Sequence, residues 1–292
     1  MRAQKDRFTR SRLGNTVMFI FILLAGAFTV LPMIYCIVTS FKPMDELLAF
    51  PPRFFVSRPT WANFAALPGL LSNLSVPLSR YFFNSLFIST VITAGHIFIA
   101  SMAAYVLSRH KRKWTAVIYV TVQFALLYNS YTLAVPQYLI FSKTGIIDTY
   151  AAYIIPALPS AMGIFLMKQY MDGSIPAPRS EVAPMDGAGH YCIFFRIVMP
   201  LVKPAWMTLL LFSFRDSWAI QPGGTIFSEN LKTLPVVLGQ ITSSTSSGIA
   251  SDIARAGSVM AASVIMMIPP VIVYLFSQSN VMETMGSAGI KE

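Results

Sequence analysis

Few residues in this chain are placed to do covalent chemistry. Its three histidines, His96, His110 and His190, are scattered, and its two cysteines, Cys36 and Cys192, fall in an apolar run and in a polar connecting stretch. A protein metal site needs three or four such ligands brought together, and no Cys-x-x-Cys, His-Glu-x-x-His or Cys/His cluster supplies them. Lys143-Thr144 and Lys232-Thr233 both lack the upstream glycines that let a backbone loop cradle phosphate. No Ser/His/Asp set or carboxylate dyad is legible either. The expectation is a non-catalytic chain that binds no cofactor of its own.

Other residues are suited to holding a polar solute. Arg215-Asp216 lies in or at the end of an apolar run. Charge at that depth is costly and usually faces a cavity or a partner. This pair, with Trp218 and Gln221, is a candidate lining for a pathway, in which Trp218 stacks on the CH face of a sugar. The competing assignment is a pair already at the water interface, with Trp218 as an interfacial anchor. A second polar group, with Gln123, Tyr128, Asn129, Ser130, Tyr131 and Thr132, sits inside another apolar run. It suits a sugar hydroxyl or a neighbouring helix, and helix packing is the commoner use. His96 reads as a satisfied helix contact, and Met260, Met266 and Met267 read as packing.

The elements that must position these residues are apolar runs. Hydrophobic residues make up 55% of the 292 and charged residues only 12%, about half the charged share of a soluble domain. The runs span about Thr16–Val38, Tyr81–Leu107, Trp114–Ile140, Thr149–Met167, Ala205–Ile220 and Gly257–Ser277. Backbone groups in lipid must bond internally, so spans of this length are helices. Ala25-Gly26-Ala27 mimics a signal cleavage site, but the run continues past it and is too long for a signal peptide core. The net charge of +10 sits in short clusters with no basic face interleaved with aromatics, which argues against nucleic acid.

Orientation follows from Lys and Arg. With the N-terminus inside, 14 of the 22 basic residues fall on the cytoplasmic side, most densely at Arg109–Lys113. The expected fold is therefore an all-α integral membrane protein with six transmembrane helices and both termini cytoplasmic. Residues 1–15 form an N-terminal arm, 16–278 the membrane domain and 279–292 a tail. Long loops at 42–80 and 220–256 face outward.

The most informative stretch is the cytoplasmic segment at about 168–203. Ser180 suits a helix cap and Glu181 a first turn, and Gly187 and Gly189 suit a helix end. The motif predicts a short surface helix.

Glu181-Val182-Ala183, Asp186-Gly187-Ala188 and Ile197-Val198-Met199-Pro200 resemble the EAA loop of ABC importer permeases. The resemblance runs on through Pro204-Ala205-Trp206. In the tail, Ser279-Asn280-Val281 leads to Gly289-Ile290-Lys291, similar to tails that close the maltose-type carbohydrate permeases. It covers the whole chain in order and number of spans. What it implies is a type I importer permease in the cytoplasmic (inner) membrane of a prokaryote. Such a chain translocates a sugar or oligosaccharide by alternating access. The partners implied are a second homologous permease, two ATPase subunits that use ATP and Mg, and an extracytoplasmic solute-binding protein. The helix at about Arg179–Gly189 would dock on the ATPase, with Glu181, Ala183, Met185, Asp186, Gly187, Ala188 and Pro200 carrying the coupling. Gly289, Ile290 and Lys291 would touch the ATPase dimer. Gln240, Thr242 and Ser243 would lie in a loop that reaches the binding protein, unless that stretch is a flexible linker. Two residues depart from the pattern: Val182 stands where the family usually has alanine, and Pro184 interrupts the coupling helix. The rival classes are an ion-gradient-driven secondary transporter, a membrane scaffold and an importer permease for a non-sugar solute. No internal repeat of the secondary-transporter kind is evident.

Overall fold

The computed structural model describes residues 12–70, 76–110, 112–127, 130–174, 189–243 and 249–288. Among them all regular structure is helical. In chain order the helices are α1 (Arg12–Ser40), α2 (Met44–Leu47), α3 (Ala62–Leu70), α4 (Leu78–Arg109), α5 (Lys113–Ala125), α6 (Ala134–Thr144), α7 (Tyr150–Ala157) and α8 (Ala161–Ser174). They continue as α9 (His190–Leu201), α10 (Lys203–Trp218), α11 (Leu234–Ser243) and α12 (Ile249–Ala288).

Three helices are long and apolar enough to cross a membrane: Leu13–Ser40, Leu78–Arg109 and Arg255–Val281. Two bent pairs, α7 with α8 and α9 with α10, raise the number to five if each is one span. The run expected to be the third span is instead divided between α5 and α6, joined through the short turn Ser130–Leu133. Polar residues at 128–132 interrupt it, and neither helix has the length to span alone.

The chain divides into two compact units. The first holds the described residues up to Gly69 with 249–265. Its α1 buries none of its apolar window against the chain, as a lipid-facing helix does. The segment after α1 is tied by specific bonds. Asn63 Nδ2 donates to the carbonyls of Ser40 (2.9 Å) and Lys42 (2.7 Å). Glu46 accepts the amides of Ser57 (3.0 Å) and Arg58 (2.9 Å). Phe41, Trp61 and Phe64 stack with ring centroids 4.9–5.3 Å apart. Gly257 is needed because a Cβ there would come within 2.6 Å of Asn63 Oδ1.

The second unit holds residues 76–243 and 266–288. Its centre is α4, packed against α8 and α10. Ser85, Ser89, Thr93, His96, Ala100 and Ala104 recur at helical spacing and are all buried, so one face of α4 is a stripe of mostly small residues. Such a stripe lets helices approach closely. One core cluster joins Ala100, Ala104, Met167, Met171, Ile193, Val198, Val202 and Leu209. A second, toward the start of α4, joins Ile88, Ile92, Phe141, Tyr153 and Ile226.

Candidate substrate cleft and coupling corner

Between α4, the α7–α8 junction and α10 the second unit encloses a cleft of about 230 Å³. Three local features shape it. The first is the break at Leu158–Ser160, where α7 and α8 meet at 40°. Ser160 starts α8 by accepting the Gly163 amide on its Oγ (3.1 Å), the usual capping bond. The second is Ser213 and Ser217 on one face of α10, spaced i, i+4. Ser217 Oγ donates back to the Ser213 carbonyl (2.6 Å) and lies 3.4 Å from Thr93 Oγ1. The third is His96, whose Nδ1 pairs with Ser213 Oγ at 2.9 Å. Its Nε2 is buried without a hydrogen-bond partner and faces Gly163, where a Cβ would approach it to 2.4 Å.

Asp216 lies on the cleft wall with Ser160, Ser213 and Ser217, among apolar residues that include Met162, Phe212 and Ile220. Arg215 is paired to it: Nε and Nη2 both donate to Asp216 Oδ1, at 3.1 and 3.0 Å. Both side chains are well exposed. The cleft can therefore offer hydroxyls, a carboxylate and apolar surface to a polar solute. Trp218 is turned elsewhere. Its indole is 3% exposed, its Nε1 donates to the Met266 carbonyl (3.1 Å), and its ring packs on Phe214 and Phe82. No ring face is left for a sugar, which corrects both the stacking and the interfacial-anchor assignments. Gln221 follows α10 and is exposed. Tyr128 and Asn129 lie outside the described residues.

At the other end of α10 is a corner. α9 contains a π turn at Phe194–Val198, and α9 and α10 meet at 80°. Pro200 and Pro204 flank the bend at Val202. Proline supplies no amide hydrogen, so carbonyls here lose their helical donors. Trp206 Nε1 bonds the Met199 carbonyl at 3.1 Å and braces the corner. Of the residues assigned to ATPase coupling, Pro200 sits in this corner. Glu181, Ala183, Met185, Asp186, Gly187 and Ala188 lie outside the described residues, as do Gly289, Ile290 and Lys291.

The segment after α10 is clamped to the start of α4 and α7. Asn84 Nδ2 donates to the carbonyls of Asn230 (2.8 Å) and Lys232 (3.0 Å), and its Oδ1 accepts Tyr150 OH (2.9 Å). Ser85 Oγ accepts the Leu234 amide (2.8 Å). Asp148 has left-handed backbone, φ 60°, which a short polar side chain tolerates. Its carboxylate accepts the amides of Phe227 (3.0 Å) and Ser228 (2.8 Å) and the Ser228 hydroxyl. The Ser228 hydroxyl and amide bonds hold its carboxyl below the usual range. Beyond the clamp, residues 239–243 continue α11 rather than forming a flexible linker. Gln240 is exposed on that helix, and Lys232 Nζ reaches its Oε1 at 3.5 Å. Thr242 and Ser243 fall in its last turn.

Sequence reasoning treated His96 as an ordinary helix contact and missed Ser213, Ser217, Gly163 and Asp148. The i, i+4 serines near a charge pair were a usable signal. Gly163 and Asp148 matter only through partners distant in sequence.

Residues 96–285 match the protein family described as "Binding-protein-dependent transport system inner membrane component". The inner membrane ABC transporter permease protein YcjP of Escherichia coli K12 is 29% identical over 269 residues, covering 90% of this chain and 91% of that one. The arabinooligosaccharides transport system permease protein AraQ of Bacillus subtilis 168 is 27% identical over 293 residues and the full length of both. AraQ of Halalkalibacterium halodurans is 30% identical, covering 94% and 95%. Among solved structures, a bacterial ABC transporter involved in import of the acidic polysaccharide alginate superposes with a TM-score of 0.75 at 22% identity, covering 92% of this chain and 98% of its own. That likeness concerns the fold. A helical chain with apolar spans, matched across most of its length in these ways, belongs to the family of binding-protein-dependent transport system inner membrane components, the inner-membrane permeases of ABC importers.

Proposed function

We propose that this chain forms half of a gated pathway for a sugar or oligosaccharide, opened and closed by a separate ATPase. The observation that carries the reading is the placement of α10. It begins at the braced 80° corner, directly after the segment that resembles the ATPase-docking loop, and ends in the cleft. A helix of 16 residues spans about 24 Å. Movement of the corner is thereby delivered to Ser213 and Asp216 without an intervening loop, and the cleft alternates its access.

In this reading six spans cross the membrane with both termini cytoplasmic. Glu181, Ala183, Met185, Asp186, Gly187 and Ala188 dock on the ATPase, two copies of which use ATP and Mg. Gly289, Ile290 and Lys291 touch the same partner. A second homologous permease completes the pathway, to which Tyr128, Asn129, Arg215, Asp216 and Gln221 contribute here. Gln240, Thr242 and Ser243 face the solute-binding protein. The sugar assignment is supported by relatives named for arabinooligosaccharides and for lactose.

The test is uptake into proteoliposomes holding the whole transporter and its binding protein. Labelled oligosaccharide should enter only with ATP on the ATPase side. Entry that persists without ATP and collapses with an ion gradient refutes the reading. ATP-dependent import of a non-sugar solute alone would keep the coupling and remove the sugar.

A further inference from the structure

The saccharide reading leaves the charge of the cargo open, since neutral and carboxylate-bearing sugars present the same hydroxyls. The cleft is not indifferent to that charge. Its wall carries Asp216, an acceptor-only group when ionised, and the cation beside it is spent. Arg215 Nε and Nη2 both point to Asp216 Oδ1, and Arg215 is not part of the wall. His96 offers no substitute. Its Nδ1 is taken up with Ser213, its Nε2 is shut against Gly163, and the residue is 7% exposed. Described residues of the wall therefore hold one carboxylate, serine hydroxyls and apolar surface, with no cation free to meet an anion.

We propose that this cleft accepts the uncharged rings of a saccharide and excludes rings that bear a carboxylate, with Asp216 as the discriminating residue. A neutral ring supplies hydroxyl donors to the Asp216 carboxylate and lays its CH face on Phe212 or Met162. A uronate ring sets a second acceptor-only anion beside the first. Like charges brought together away from bulk water repel, and no hydrogen bond compensates unless one of them takes up a proton. Specificity then comes from the repelled competitor as much as from the accepted cargo. The inference rests on the saccharide reading given above, and the experiment separates the two.

The assembled transporter, with partner permease and ATPase in nanodiscs and no binding protein, is titrated with arabinotriose and with trigalacturonate at matched concentrations. Binding is read by saturation-transfer NMR. The expected result is a preference of about tenfold or more for arabinotriose. Asp216→Asn should narrow that ratio at least severalfold, and Asp216→Glu should keep it. Co-purification of the ATPase confirms that each variant has folded and assembled. Equal or tighter binding of trigalacturonate, or a ratio unmoved by Asp216→Asn, overturns the proposal and leaves the saccharide reading standing. If neither sugar binds, the cleft is not a saccharide site and the proposal falls. ATP-driven oligosaccharide uptake by the same preparation then decides whether the wider reading falls with it.

Discussion

Gly163 meets His96 so closely that a single methyl group should register. An alanine Cβ at 163 would lie 2.4 Å from His96 Nε2, 3.1 Å from Cδ2 and 3.2 Å from the Ala100 Cβ. Ordinary non-bonded contact needs roughly 3.5 Å, so the overlap with Nε2 is roughly 1 Å. The methyl cannot escape toward Ala100, so the imidazole must move. Moving it breaks the 2.9 Å bond to Ser213, a loss of about 1 kcal/mol. Overpacking a close-packed helix contact adds about 1–3 kcal/mol. Gly163→Ala should therefore destabilise the purified permease by about 2–4 kcal/mol, a fall of roughly 5–15 °C in melting midpoint for a chain of this size. The double variant Gly163→Ala/His96→Ala discriminates overpacking from any intrinsic effect of alanine. Removing the imidazole makes room for the methyl, so the pair should be less destabilised than the sum of the singles by at least about 1 kcal/mol. Thermal melts of the four proteins in one detergent give the cycle. A midpoint change under about 1 °C for Gly163→Ala, or strict additivity, would refute the close α4–α8 contact.

Other parts of the molecule are testable in the same way. Asp148→Ala should speed amide exchange at Phe227 and Ser228 roughly fivefold, because both amides lose their acceptor. The Asp148 carboxyl is lowered on folding, so its contribution is full above the unfolded value of about 3.9 and fades as pH falls through the lower folded one. In the wild type, protection of these two amides should decline across that acid window, and in Asp148→Ala that component should vanish. Asn84→Leu removes a fully buried hub that serves Asn230, Lys232 and Tyr150, and should cost about 2–4 kcal/mol, read as faster proteolysis at 222–233. Trp206→Phe keeps the ring and deletes the bond to Met199. ATP hydrolysis should continue while transport per ATP falls, and an unchanged ratio would remove the corner from the coupling path. Arg215→Ala should leave melting within about 1 kcal/mol, since the pair is exposed, and reduce uptake.

How much of this could be read from the chain depended on the range of the interactions involved. α1, α4 and the membrane-length part of α12 follow from run length alone, because lipid imposes that length locally. The third run was misjudged because the same residue types stand in a continuous span and in one broken by polar groups. α9 was hidden for a related reason. Gly189, His190 and Arg196 make it look like connecting loop, while Ile193 and Val198 are in the core. Asp216 was legible from the rarity of charge in such a run. Trp218 was not, because only Met266, Phe214 and Phe82 determine which way its ring faces. The cleft itself depends on helices more than a hundred residues apart, and no window of sequence contains both Thr93 and Ser217.

The π turn at Phe194–Val198 has a consequence for how this stretch can change. A wide turn takes one residue more than an α turn, so it resets the phase of everything beyond it by about 100°. Ile193 and Phe194 on one side and Val198 and Val202 on the other are all buried, and they are because of that reset. Deleting a single residue between 189 and 202 would turn one group out of the core, whatever its side chains. Here the count of residues is constrained more tightly than their identity.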